Sequence, residues 1–224
     1  MMRSGGEQIA VFGDAAAENV IWMHCFSDEG EKAYAMLPAQ IRQQAALVTV
    51  RLSEREWNAR LSPWAAPALF KGEPFAGGAD AWLQTLTGSI MPEVAAQSGL
   101  SPARHLIAGY SLAGLFSLWA LYHTDRFSGA ASVSGSLWYP DFAEYIRTHK
   151  PMRQPEHVYL SLGDRESHAR NPVLASVADK TAAISSYFVD AGVHFIYEQN
   201  PGGHTNHAAE RTAKALKWLI RQYK

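Results

Sequence analysis

The sequence predicts an α/β fold, with a mostly parallel central sheet and helices on both faces. Three observations predict it. Six short runs rich in β-branched, aromatic or other apolar residues recur along the chain. Most of them are separated by stretches long enough for a helix, and strands joined through helices run parallel, with the crossovers covering the faces of the sheet. The third is size: 224 residues, 47% of them hydrophobic, are enough for one large core, so residues 1–224 are expected to form a single domain.

Each element follows in order. Asn19 to Cys25 (NVIWMHC) and Ala46 to Leu52 (ALVTVRL) read as strands buried on both faces, with a helix between them over Gly30 to Gln44. From Ser53 to Gly77 neither period is visible, although Trp57, Trp64, Phe70 and Phe75 lie there; the stretch reads as a long loop of the functional or mobile kind. A helix is expected over Gly78 to Gln97, a strand over Arg104 to Gly109, and a helix over Leu112 to His123, where Leu115, Leu118, Trp119 and Tyr122 keep helical spacing. Gly129 to Ser134 and His157 to Gly163 are the next strands. A helix from Pro172 to Ala191 follows, with proline where a first turn tolerates it and Gly192 just past the end. His194 to Gln199 gives the last strand and Ala208 to Arg221 the last helix.

Charge and cysteine content narrow the partners. Lys plus Arg (20) balances Asp plus Glu (21) without runs of either sign, so neither nucleic acid nor an anionic membrane surface is expected, and a neutral or small substrate is. A single cysteine, Cys25, excludes an internal disulfide and fits a reducing compartment. With no apolar leader-like segment and no run of about eighteen apolar residues, the expected location is the cytoplasm.

The chemistry concentrates at HLIAGYSLAGLFSLWALY, from His105 to Tyr122. Ser111 stands where a buried strand passes straight into a helix. Such a turn pushes the hydroxyl out of the sheet and strains its backbone, and it needs small neighbours, here Gly109, Ala113 and Gly114. The helix beginning at Leu112 offers backbone N–H groups and a positive dipole end to a developing oxyanion. The other reading of Ser111 is a helix N-cap. A serine nucleophile needs a base and an orienting acid. His204 lies in NPGGHTNH just past the last strand, and Asp164 and Glu166 lie in GDRE just past the one before. The order serine, acid, histidine is that of the α/β hydrolases. The His204-x-x-His207 spacing lacks the neighbouring glutamate of a zinc site, so no metal or other cofactor is expected. His105, His123, His157 and His194 sit at element ends and read as structural or solvated.

These residues, with AGYSLAGLFSLWALYHTDRF (108–127), VSGSLWY (133–139), LSLGDRE (160–166) and NPGGHTNH (200–207), make the chain resemble the esterase D-like branch of the α/β hydrolases over about Asn19 to Trp218. The resemblance implies an eight-stranded hydrolase sheet in reduced form, Ser111 as nucleophile, His204 as general base, and an acid in the Asp164 to Glu166 turn. In related hydrolases the acid comes three residues after a strand-ending glycine, and that spacing from Gly163 selects Glu166. Two departures stand out: Ala113 replaces a usual glycine, and MHCFSDEG (23–30) replaces a His-Gly motif. The oxyanion hole then takes one donor from the Leu112 N–H and a second from the loop at Phe26, while Cys25 reads as a small buried apolar residue.

The expected reaction is hydrolysis of a carboxylic ester through an acyl-enzyme on Ser111. An acyltransferase or thioesterase of the same fold, or a noncatalytic binding module, are the alternatives. Trp57, Trp64, Phe70, Trp138 and Tyr139, which follow strands on the side of Ser111, are the candidates for a pocket around a small or aromatic ester.

Overall fold

The computed structural model describes residues 2–4, 6–69 and 73–223. The chain opens with β1 (Met2–Ser4) and β2 (Glu7–Phe12), followed by β3 (Asn19–Cys25), α1 (Glu29–Ala35), α2 (Ala39–Arg42), β4 (Ala45–Arg51) and α3 (Glu54–Arg60). A small two-stranded ladder, β5 (Ala65–Ala66) with β6 (Phe75–Ala76), precedes α4 (Ala79–Thr85) and α5 (Met91–Ser98). Then come β7 (Arg104–Tyr110), α6 (Leu112–His123), β8 (Phe127–Val133), α7 (Phe142–Thr148), β9 (His157–Gly163), α8 (Pro172–Ala175), α9 (Val177–Asp190), β10 (Phe195–Asn200) and α10 (Ala208–Arg221).

Eight strands form one sheet in the order β1-β2-β4-β3-β7-β8-β9-β10, the α/β-hydrolase arrangement. β1, β2 and β4 pair antiparallel, and β4, β3, β7, β8, β9 and β10 are parallel. The six expected strands are all in the parallel part. The hairpin of β1 and β2 was not among the expected strands; β1 has only three residues, too few for a period to show.

The apolar runs of β3 and β4 are buried almost throughout because both faces of the sheet are covered. Alternate residues serve opposite cores. Val20 and Trp22 face the layer of α4, α5, α6, α7 and α9, whereas Ile21 and Met23 face the layer of α1, α2 and α10. The chain runs from β3 outward to β4 and then returns across β3 to β7. Between β3 and β7 the strand order therefore reverses, and that crevice at the strands' carboxyl ends is where such sheets place their sites.

Four expectations about elements change. The helix expected over Gly30 to Gln44 is split because Pro38 bars the preceding residue from helical geometry. The helix over Gly78 to Gln97 widens to a π turn at Leu86–Ile90, next to Pro92, which cannot donate to the carbonyl four residues before it. Pro172 to Ala191 forms two helices, hinged at Ser176. The stretch from Ser53 to Gly77 is not structureless: Ser53 and Glu56 form a reciprocal capping box that starts α3, and the β5–β6 ladder follows.

Candidate active site

Ser111 sits between β7 and α6 with φ 59° and ψ −123°, a sparsely populated conformation that costs about 1–3 kcal/mol. Its neighbours make room for the turn. A Cβ on Gly109 would fall 2.2 Å from the carbonyl carbon of Ala113, and one on Gly114 would fall 2.9 Å from the Gly109 carbonyl oxygen. The turn is pinned by the Ser111 N–H donating to the Val133 carbonyl at 3.0 Å and by the Ser136 N–H donating to the Ser111 carbonyl at 3.0 Å. The Ser111 hydroxyl does not cap α6. It lies 3.0 Å from His204 Nε2 and 3.3 Å from Ser136 Oγ.

His204 lies on the loop between β10 and α10, and its Nδ1 is 2.7 Å from Glu166 Oε2. Glu166 opens a single 3-10 turn after β9, and its side chain is only 3% exposed. The two carboxylate oxygens divide their work. Oε2 faces the imidazole, while Oε1 accepts from the Gly163 N–H at 2.7 Å and from Arg211 Nη1 at 3.3 Å. Burial pushes this carboxyl upward, but the hydrogen bond and charge of His204, the Gly163 N–H and the Ser134 hydroxyl outweigh it, leaving Glu166 below the ordinary carboxylate range.

Arg211 is a buried cation on α10. Its guanidinium also donates to Ser134 Oγ at 3.1 Å and to the Pro201 carbonyl at 2.7 Å, so it ties the loop carrying Glu166 to the loop carrying His204. Asp164 has a different partner from Glu166. Its Oδ1 accepts from the Gly202 N–H at 2.8 Å and so braces the histidine loop. The Tyr110 hydroxyl donates to the His204 carbonyl and holds the same loop from β7.

Leu112, buried as the first residue of α6, presents one of the four first-turn N–H groups that a helix cannot satisfy internally. Phe26 follows β3 across the crevice; the residue is 44% exposed and its ring stacks on Trp57 at 4.0 Å between centroids. Cys25 lies beside it, buried, with its thiol pushed up to about 12 by that burial, so it stays a neutral packing group. His24 is buried too. Burial lowers its imidazole to about 3, and its Nε2 accepts from Trp82 Nε1 at 2.9 Å, which leaves the ring neutral. His207 faces Glu210 at 3.9 Å.

Two cavities flank Ser111. One, of about 680 Å³, is walled by Trp57, Leu69, Phe75, Leu112 and Trp138, with Glu54, Arg55, Asn58 and Glu73 also in its lining. The other, of about 270 Å³, is walled by Met23, Cys25, Phe26, Trp57 and Ala208 and contains His204. Trp57 and Trp138 thus border the space beside Ser111. Trp64 and Tyr139 do not, contrary to expectation. Trp64 donates from Nε1 to the Pro140 carbonyl and packs against Tyr139, Phe142 and Tyr145, while Tyr139 is fully buried with its hydroxyl on the Trp64 carbonyl at 2.5 Å. These two rings hold the mouth segments together because each finds its polar partner in the other's segment. Phe70 lies outside the described residues.

Sequence reasoning passed over Ser136, Tyr110 and Arg211. Arg211 did leave a signal: it shares a helical face with Ala215 and Leu219, both buried, and a cation on an apolar stripe needs a buried partner.

Residues 21–209 match the putative esterase family. The chain is 24% identical over 195 residues to the uncharacterized protein YbbA of Bacillus subtilis (strain 168), covering 82% of this chain and 78% of that protein. Among solved structures it resembles an IroE-like serine hydrolase from Shewanella oneidensis, with TM-score 0.79, 16% identity, and coverage of 97% of this chain and 77% of the other. It also resembles the siderophore hydrolase EstA from Aspergillus nidulans, with TM-score 0.77, 17% identity, and coverage of 97% and 91%. With an α/β-hydrolase sheet, a serine on a strained strand-to-helix turn, and a family match spanning most of its length, the chain belongs to the putative esterase family and is a carboxylic-ester hydrolase.

Proposed function

We propose that the enzyme works through an acyl-enzyme on Ser111, with His204 as general base and acid and Glu166 as the orienting acid. The observation that carries this reading is the continuous chain from Ser111 Oγ to His204 Nε2 at 3.0 Å and from His204 Nδ1 to Glu166 Oε2 at 2.7 Å. His204 takes the hydroxyl proton as Oγ attacks the ester carbonyl, and the tetrahedral oxyanion is held by the N–H of Leu112 and that of Phe26. The imidazolium then protonates the departing alkoxide, leaving the acyl group on Ser111. Water, deprotonated by His204, attacks that ester and releases the carboxylic acid. Glu166 fixes the tautomer and stabilises the imidazolium while remaining ionised itself.

The substrate in this reading is a small-molecule ester, and no metal or other cofactor takes part. Residues 1–224 act as one domain, for which the single eight-stranded sheet is the support. A cytoplasmic setting fits the lone, buried Cys25. Among the described residues no helix is long and apolar enough to cross a membrane. The test is Ser111→Ala measured with p-nitrophenyl esters and a fluorophosphonate probe. The expected result is a folded protein that takes up no label, with kcat lower by roughly 10⁴ to 10⁶. More than about a tenth of the activity surviving would overturn the mechanism.

A further inference from the structure

Ser111 and Trp57 are the two residues that line both cavities, so the reacting centre sits at a junction between two chambers of unequal size and character. Trp57 is the wall the two share, and on the small chamber's side the Phe26 ring stacks on it with an interplanar angle of 24°, so the pair forms a partition in the reading that follows. An ester has two sides, and the chemistry of the proposed mechanism decides which chamber takes which.

The leaving oxygen must receive a proton from His204, so the alcohol side has to lie toward that imidazole. His204 and Thr205 belong to the small chamber, about 270 Å³ and mostly apolar, and neither lines the large one. The acyl substituent leaves the tetrahedral carbon in a direction not taken by the histidine or by the oxyanion. Leu112 and Ser136 open that way into the chamber of about 680 Å³. Its walls include Trp138, Phe75 and Trp57, flat surfaces suited to an aromatic or extended apolar body. Its lining also carries polar groups of both signs, Glu54, Arg55 and Glu73, with Asn58 held by the Glu73 carbonyl at 3.1 Å. Such a lining accepts hydroxyl or amide substituents rather than a purely alkyl chain.

Resting on the acyl-enzyme reading above, we infer that this enzyme selects asymmetric esters: a bulky, aromatic, hydroxyl- or amide-bearing acyl group in the large chamber and a compact, weakly polar alcohol in the small one. The Phe26–Trp57 pair is the specificity element that keeps the two sides apart. A large alcohol is refused because the partition stops it from spilling into the acyl chamber.

The test uses two isomeric esters with the same atoms and the ester link reversed: methyl 3-(6-hydroxy-2-naphthyl)propanoate and 2-(6-hydroxy-2-naphthyl)ethyl acetate. Their kcat/KM values are measured on one preparation, so the ratio does not depend on the fraction of active enzyme. The expected ratio favours the methyl ester by about tenfold or more, the discrimination a shaped apolar pocket gives. Phe26→Ala, which removes an exposed ring and keeps its backbone N–H, should bring the ratio to within about threefold of unity by improving the acetate. A ratio near one or reversed in the wild-type enzyme, with fluorophosphonate labelling of Ser111 intact, overturns the allocation of chambers and leaves the acyl-enzyme standing. Labelling without turnover of either isomer does the same. Absence of both labelling and turnover overturns the acyl-enzyme reading and this inference together. An unchanged ratio in Phe26→Ala removes the partition from the explanation.

Discussion

Two acidic residues two positions apart have been sorted by their partners. Glu166 reaches the imidazole, whereas Asp164 spends its carboxylate on the Gly202 N–H. Glu166→Gln should therefore lower kcat by roughly 10² to 10⁴, and it should lower stability as well, because buried Arg211 loses its carboxylate partner. Asp164→Ala should cost about 1 kcal/mol of stability through one lost hydrogen bond, with kcat within about threefold of wild type. Urea midpoints and kcat/KM on the same preparations separate the two, and the opposite pattern would exchange their roles. His24 makes a prediction about pH. Its folded value of about 3 lies below the ordinary histidine value of 6.5, so it favours the folded state fully above pH 6.5 and loses that contribution as pH falls toward 3. The loss amounts to ~5 kcal/mol at most over that window. His24→Gln, which keeps an acceptor for Trp82, should flatten the acid limb of the urea midpoint between pH 6.5 and 4; an unchanged limb would assign it to other groups.

At the scale of elements, the turn from β7 into α6 illustrates how much local sequence decides. Gly109 relieves crowding that is local to the turn, against Ala113, whereas Gly114 also makes room for Ser132 and Gly135 from the neighbouring strand and its loop. Gly109→Val should lower stability by about 1–3 kcal/mol and displace the hydroxyl, so that fluorophosphonate labelling is lost even in the fraction that stays folded. Full labelling with an unchanged melting temperature would show that the turn tolerates a Cβ. The parallel strands were legible as short apolar runs bounded by turn residues, α6 as the long apolar stretch that follows the Ser111 turn, and α10 by its one-sided apolar period. α3 was not legible from periodicity because only Trp57 of its seven residues is buried. Its Ser53-x-x-Glu56 capping box was the signal that mattered there. α7 is another short element, and it begins after Asp141 in left-handed geometry, which no pattern in SGSLWYPDF announces.

Across the whole molecule, the site depends on residues 38 and 93 positions apart meeting over the carboxyl ends of β7, β9 and β10. Arg211 clamps that meeting from α10. Arg211→Met should cost about 3–5 kcal/mol, because Glu166 and the Pro201 carbonyl lose a buried cation. The same change removes a charge that favours ionised Glu166, so the acid limb of kcat/KM should move to higher pH. Loss of stability with an unmoved acid limb would make Arg211 structural only. The sequence by itself determined the alternation of strands and helices, the place of the strained serine, and the chain order of serine, acid and histidine, since all of these are written in residues close together or in order along the chain. Only the tertiary structure decided which aromatic rings border Ser111. Trp57 and Trp64 lie in one stretch of similar composition, yet one walls both chambers while the other packs against Tyr139, 75 positions away. The physical reason is that a ring's role is set by the neighbour that satisfies it, and that neighbour is brought by the fold from elsewhere in the chain.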